Sequence, residues 1–256
     1  MAGRESPVSI PSQLNDRSGD HVYHSNPLLE TNGIFQQMTK PLQVLCVVGT
    51  SAAQSATHTV VGHIAHRLSA LGADVDVFDP SKEPLLLFNP ESSYSAHQFL
   101  HLKERVERAD TFVLATPDYH GSISSTLKNF LDHFWQEFTG KLFAQVVCSH
   151  EKGLTVIDQV RTVARQCYAW TLPYGLSFSS STDLKDDNAL AAALDERIEM
   201  LIHDLQVYGL VLRQQRRADL SGVYPGFLAR MRPDGHVAVA ANDTSVAELS
   251  ALAPHT

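Results

Sequence analysis

Residues 116–132 read TPDYHGSISSTLKNFLD, and the fold turns on how this stretch is read. It follows the apolar run TFVLA at residues 111–115, which predicts a strand, and it leads into a helical pattern that starts near Ser124. Leu127, Phe130, Leu131 and Phe134 then fall at i, i+3, i+4 and i+7, a stripe that faces a core. Between strand and helix lie Pro117, Asp118, Tyr119, His120, Gly121 and Ser122. Such a loop suits a flat polar ligand, because glycine permits close backbone approach and loop N–H groups have no strand partner. In a parallel α/β sheet, ligands bind where loops leave the carboxyl ends of strands. Taken alone, the stretch also fits an ordinary strand-to-helix connection built of turn residues.

The same order repeats on both sides of it. LQVLCVV at residues 42–48 is nearly continuously apolar, as a strand buried on both faces must be. The hydroxyl-rich loop GTSAAQSAT at residues 49–57 follows, then a helical face of Val60, Val61, Ile64, Leu68 and Leu71 closed by Gly72. A loop of this kind before a helix start is laid out for an anion, with free N–H groups and the positive end of the helix dipole. Hydroxyl-rich helix caps are common, so the loop by itself also reads as a cap. DVDVFD at residues 74–79 predicts a second strand beside the first. Residues 80–93 carry three prolines and form a structured excursion, and residues 96–109 a charged helix. A fourth strand over residues 141–149 ends in the polar loop HEKG, followed by a helix over 155–168 and a short fifth strand over 175–179. A long helix over 187–208 is stopped by Gly209. Five strand–helix alternations predict a parallel sheet with helices on both faces.

The flanks read differently. Residues 1–40 are aperiodic and polar, a mobile tail or an arm that wraps a neighbouring subunit, ahead of a domain over 41–208. Residues 209–256 form a C-terminal extension with one strand-like run, HVAVAA at 236–241, suited to an oligomer contact. The formal net charge is -8, and the only basic cluster is RQQRR at 213–217, read as a solvated face or a subunit contact, so nucleic acid is excluded as a partner. Cys46, Cys148 and Cys167 are widely spaced, with no CxxC pair, which argues against a disulfide framework or a zinc ribbon. No apolar run approaches the roughly 20 residues that span a bilayer. A cytoplasmic location without membrane association is the expectation. His63/His66 and His97/His101 have helical spacing but no third ligand in view, so no metal is expected.

Three strand-end loops, residues 49–57, 116–122 and 149–153, together with LKNFLD at 127–132, resemble the NADPH-dependent FMN reductase family of flavodoxin-like proteins. That family carries a first loop close to GSxRxxS, a PEYxxS-type loop running into LKNxxD, and a polar or Gly-rich third loop. The resemblance spans residues 42–208, with Gly49, Thr50 and Ser55 at the G, S and final S positions. Ala52 stands where the family has an arginine, which removes a charge-assisted phosphate contact and leaves the choice of NADPH or NADH open.

The resemblance implies a flavodoxin-like three-layer sandwich with a five-stranded parallel sheet, FMN as cofactor, and NADPH or NADH as co-substrate. It implies the FMN phosphate on the first loop, with Ser51, Ser55 and Thr57 as side-chain donors and Gln54 beside them. Pro117, Asp118, Tyr119, His120, Gly121 and Ser122 are implied around the isoalloxazine, Tyr119 packing on the ring and backbone N–H groups of residues 120–122 facing its acceptor atoms. Asp118 reads equally well as a loop cap. Ser149 and His150 are implied on the far side of the ring. Hydride would pass from nicotinamide C4 to flavin N5 and on to a small acceptor such as a flavin, a quinone or an azo compound, with no catalytic acid or base required. The helix over residues 127–138 is implied as the contact of a homodimer or homotetramer, with Lys128, Asn129 and Asp132 as capping and interface groups and Phe134, Trp135 and Phe138 as aromatic surface. Two alternatives stand beside this: a flavoenzyme dedicated to one metabolite, and a non-enzymatic electron carrier.

Overall fold

The apolar runs of the sequence become adjacent strands because only a sheet covered on both faces gives all their side chains somewhere dry to go. The computed structural model describes residues 40–223 and 225–232. Its strands are β1 (Gln43–Val48), β2 (Asp74–Phe78), β3 (Thr111–Tyr119), β4 (Ser122–Ile123), β5 (Leu142–Cys148), β6 (Trp170–Thr171) and β7 (Leu176–Phe178). The helices are α1 (Ala56–Ala70), α2 (His97–Arg108), α3 (Ser125–Asp132), α4 (Leu154–Gln166) and α5 (Ala192–Ser221). The parallel sheet runs β2-β1-β3-β5, and its last position is shared by β6 and β7, both paired with β5. The expected fifth strand is β7, and β6 is an additional short piece ahead of it on the same edge. Pro173 lies between the two and has no N–H for the ladder.

One face of the sheet packs Val44, Cys46, Val48, Val113, Ala115 and Val146 against α1 and α5. The other packs Leu45, Val47, Phe112, Leu114 and Phe143 against α2, α3 and α4. This is the three-layer sandwich expected. Each fully buried Leu, Ile or Phe contributes about 1.5–3 kcal/mol. Phe112, Phe130, Phe134, Phe138 and Phe143 form one aromatic cluster with ring centroids 5.1–6.1 Å apart in its contacting pairs.

Three expectations change. The long helix is not stopped by Gly209: α5 runs to Ser221. A Cβ at Gly209 would lie 2.7 Å from Thr111 Cγ2 and 3.1 Å from Leu42 Cδ2, so the glycine permits close packing of helix on sheet rather than ending the helix. The basic cluster on α5 is also not a solvated face. Arg213 is buried and its Nη1 donates to the carbonyls of Lys40 and Pro41, while Arg216 Nε donates to Thr139 O. Finally, residues 127–138 are not one helix. α3 ends at Asp132 and a separate 3-10 turn follows at Gln136–Phe138. Phe134 and Phe138 are core residues, which leaves Trp135, 54% exposed, as the aromatic surface there.

No described helix is long and apolar enough to cross a membrane. The expectations for residues 1–39 and for the run at 236–241 lie outside the described residues.

Candidate functional site

Three loops meet where β1, β3 and β5 end. β1 closes on Gly49, whose N–H donates to Ala115 O at 2.7 Å. A Cβ there would sit 2.4 Å from the same carbonyl and 2.9 Å from Leu127 Cβ, so only glycine lets the first loop leave β1 against β3. In the loop that follows, Ala52 N–H donates to Thr50 Oγ1. The N–H groups of Ser51, Ala53, Gln54, Ser55, Ala56 and Thr57 meet no acceptor among the described residues. Ser55 is the N-cap of α1, its Oγ accepting from His58 N–H at 3.3 Å. Ser51 and Gln54 are exposed, Ser55 half-buried and Thr57 buried at the second helical position. The hydroxyls of Ser51 and Thr57 have no hydrogen-bond partner among the described residues, so this nest of donors fits an oxyanion such as a phosphate.

The second loop is more ordered than its residue types imply. β3 continues through Thr116–Tyr119, because Thr116 and Pro117 pair with Val147 and Cys148 of β5. Tyr119 then pairs with Ser122 of β4 across a two-residue hairpin turn. His120 and Gly121 both have positive φ, 59° and 75°, the geometry of a type I′ turn. Asp118 is the brace that the alternative reading allowed: its Oδ1 accepts the Gly121 N–H at 2.8 Å and its Oδ2 accepts the Ser149 hydroxyl at 2.9 Å. Of the hairpin N–H groups expected to face the ring, that of Gly121 is therefore spent, while that of His120 has no acceptor among the described residues. Tyr119 is 56% exposed at the mouth of the hairpin.

Two further side chains set this geometry. Ser124, the N-cap of α3, accepts from Leu127 N–H and donates from Oγ to Gly49 O at 2.5 Å, while its N–H donates to Thr116 Oγ1. First and second loops are thus joined directly. Gln159 of α4 accepts from Ser122 Oγ and Ile123 N–H, and donates to Gly121 O. Nothing in its sequence context marks Gln159, since its partners lie 36–38 residues away.

The third loop starts at Ser149, which is buried, receives Glu151 N–H on its Oγ, and donates its own N–H to Phe178 O. His150 is exposed beside it. Asp118, Gly121, Glu151, Lys152, Gly153 and Thr155 line a cleft of about 640 Å³ between the hairpin and this loop. Ser51, Phe78, Leu85, Ser125 and Asn129 line a smaller one, about 280 Å³, beside the first loop. Asn129 fixes its wall, accepting from Phe88 N–H at 2.7 Å and donating to the carbonyls of Leu85 and Leu86. Lys128 and Asp132 pair with each other along α3. The three cysteines are free, and burial pushes the thiols of Cys46 and Cys167 up, to about 12 and about 11, so neither supplies a thiolate. Among the described residues no group of His, Cys, Asp and Glu is placed to hold a metal ion.

The parallel sandwich with loops gathered at the carboxyl end defines a flavodoxin-like α/β protein. The model of the NADPH-dependent FMN reductase family matches residues 42–183, more than half of the chain, and the chain belongs to that family. An FMN-dependent NADPH-azoreductase of Staphylococcus haemolyticus (strain JCSC1435) is 26% identical over 164 residues, 61% of this chain and 87% of that protein. One from Staphylococcus aureus (strain USA300) is 30% identical over 99 residues, 37% of this chain and 53% of that protein. Among solved structures, the apo form of the NADH:FMN oxidoreductase EmoB superposes with a TM-score of 0.53 at 17% identity, covering 64% of this chain and 88% of that one. An oxidoreductase from Corynebacterium diphtheriae superposes with a TM-score of 0.51 at 18% identity, covering 68% and 98%. These structural likenesses carry the fold.

Proposed function

We propose that the three-loop cluster binds FMN and that the protein is an NAD(P)H oxidoreductase reducing a small acceptor, an azo compound, a quinone or a free flavin. The observation that carries this reading is the direct bonding of the loops to one another, Ser124 to Gly49 and Ser149 to Asp118, around a first loop with six N–H groups that meet no acceptor among the described residues. Such a nest offers positive potential to a phosphate without a cationic side chain. Ser51, Ser55 and Thr57 add hydroxyl donors, with Gln54 beside them.

Bound there, FMN would supply the two-electron chemistry, accepting a hydride from NADPH or NADH and passing it on. The chain's own task is positioning. Pro117–Ser122 border the ring, with Tyr119 packing on it and the free His120 N–H facing its acceptor edge. Ser149 and His150 close the far side. Asp118 and Gln159 hold the hairpin in a fixed shape, so these donors are in place before the ligand arrives.

The relatives' activity favours an enzyme over an electron carrier. Exposed Trp135 after α3 supports a homodimer or homotetramer through residues 127–138, and a nicotinamide-dependent reaction with free thiols fits the cytoplasm.

The test is direct. The purified protein with FMN is expected to be yellow and to oxidise NADPH or NADH when offered a quinone, an azo dye or free FMN. A yellow protein that oxidises neither nucleotide sinks the reductase reading and leaves a carrier.

A further inference from the structure

The hydroxyl that caps α1 is one end of a hydrogen-bond chain that finishes on a buried carboxylate. Ser55 Oγ lies 3.0 Å from His58 Nδ1, and His58 Nε2 lies 2.9 Å from Asp79 Oδ1, just past the end of β2. Asp79 is 5% exposed. Burial opposes its ionisation, but hydrogen bonds from Ser81, His58 and Lys82 outweigh that and hold its carboxyl well below the usual carboxylate range. An ionised carboxylate only accepts, so the His58 ring keeps its hydrogen on Nε2. Nδ1 then has two states. In the neutral ring it is bare and takes the Ser55 hydroxyl hydrogen, turning that hydrogen away from the loop. In the charged ring Nδ1–H donates to Ser55 Oγ, and the hydroxyl hydrogen is freed toward an anion.

We propose that His58 is the proton-linked positioning residue of the phosphate site, so that anion binding on residues 49–57 and protonation of His58 are coupled through the Ser55 hydroxyl. The proposal rests on the FMN reading above. It assigns the cationic role to His58 in a first loop where the family arginine is replaced by Ala52. Among the described residues, His58 is the only basic side chain hydrogen-bonded to that loop. Its position three residues after the N-cap is where a capping box carries Glu or Gln. A carboxylate there would repel a phosphate, whereas an imidazolium attracts it.

The surrounding charges favour this coupling. The ring meets Asp79, and around that carboxylate stand Lys82, whose Nζ is 3.1 Å from Asp79 Oδ2, and Glu83, which accepts the Asp79 N–H. Lys82 is largely exposed, and Glu83 is paired with Arg105. On α1 itself the next basic groups are His63, whose Nε2 lies 3.2 Å from Asn188 O, exposed His66, and Arg67, which pairs with Asp195 and Glu199. A phosphate of nearly two negative charges at neutral pH would meet no other basic side chain hydrogen-bonded to the loop among the described residues, and its field favours the protonated ring.

Calorimetric titration of the full chain with FMN at pH 7.5, in buffers of different ionisation enthalpy, counts the protons bound. The free phosphate, with a second pKa of about 6, is nearly dianionic at that pH, so uptake reports the protein. Wild type is expected to show net proton uptake on binding FMN, and its affinity for FMN to fall as the pH rises. Riboflavin, lacking the phosphate, is expected to bind with no uptake. His58→Gln should bind FMN more weakly, without uptake and with a flat pH profile. His58→Arg should keep the affinity, equally flat; thermal unfolding confirms that both variants fold. FMN binding without uptake in wild type, or undiminished uptake in H58Q, overturns the proposal and leaves the FMN reading standing. No binding of FMN at any pH overturns both.

Discussion

The two ends of the sheet treat charge in opposite ways. At the amino end, Lys141, Arg213 and Arg216 each have a fixed acceptor. Lys141 Nζ donates to Val106 O and Glu107 O at the end of α2, at 2.7 and 2.8 Å. Arg213 reaches Lys40 O and Pro41 O, with Asp110 at 3.5 Å, and Arg216 reaches Thr139 O. These cations finish the carbonyls that helix ends and strand starts leave open. At the carboxyl end the surplus is of donors instead. Six N–H groups of the first loop go unclaimed there among the described residues, and the carboxylates of Asp79 and Asp118 are engaged in bracing. One end is closed by the protein itself; at the other, among the described residues, the donors stand open to the ligand proposed above.

The largest way to break this contrast is Gly49→Val at the open end. Its side chain would drive into Ala115 O and Leu127. Overpacking of this kind is expected to cost about 1–3 kcal/mol or more, and the loss of loop geometry should remove FMN binding, measured by fluorescence titration.

At the closed end, Lys141 sharpens the comparison through pH. Burial pushes its ammonium down, from 10.5 to about 7, with Arg216 adding repulsion. Between those values the unfolded chain holds a proton that the folded chain has released, so stability rises with pH, approaching about 1.4 kcal/mol per unit from this group. Below pH 7 both states are protonated and the contribution is flat. Denaturant midpoints of wild type should therefore gain on those of Lys141→Met from pH 7 to 10, while FMN affinity measured at one pH is the same in the two proteins.

Asp118→Ala is expected to act locally. It strands the Gly121 N–H and the Ser149 hydroxyl, each now open to water, at a cost of about 1 kcal/mol of stability. The hairpin then loses its fixed shape, and FMN affinity should fall about tenfold, the equivalent of about 1.4 kcal/mol, with faster amide hydrogen exchange confined to residues 119–123.

The difference between the two ends also explains what the sequence made legible. Strands buried on both faces advertise themselves as apolar runs, and the stripe Leu127, Phe130, Leu131, Phe134 placed the helix after the hairpin, because both signals are local. Ser124 was readable as a helix start for the same reason, and the cap left as an alternative for the first loop's hydroxyls falls at Ser55. What escaped depends on distant partners. Gly209 carries a stop signal in sequence, and only its approach to Thr111 and Leu42 turns it into a packing residue. Thr116–Tyr119 looked like loop because Pro117 and Asp118 are turn formers, yet Thr116 and Pro117 pair with β5 and Asp118 and Tyr119 with β4, which extends the strand through them. His58 meets Asp79 across 21 residues, and Gln159 meets the hairpin across 36 or more; neither relation leaves a local pattern.

The claim that the carboxyl end is an anion site completed by FMN phosphate is tested most directly by the FMN dissociation constant of Ser55→Asp. Aspartate caps a helix as well as serine does, so the thermal midpoint of the free protein should be unchanged. It also sets a negative charge among the unclaimed N–H groups, where a dianion would otherwise sit. Affinity for FMN should fall by about 100-fold or more, about 2.7 kcal/mol, while affinity for riboflavin stays as in wild type. Equal FMN affinity in the two proteins would place the phosphate elsewhere and contradict the site.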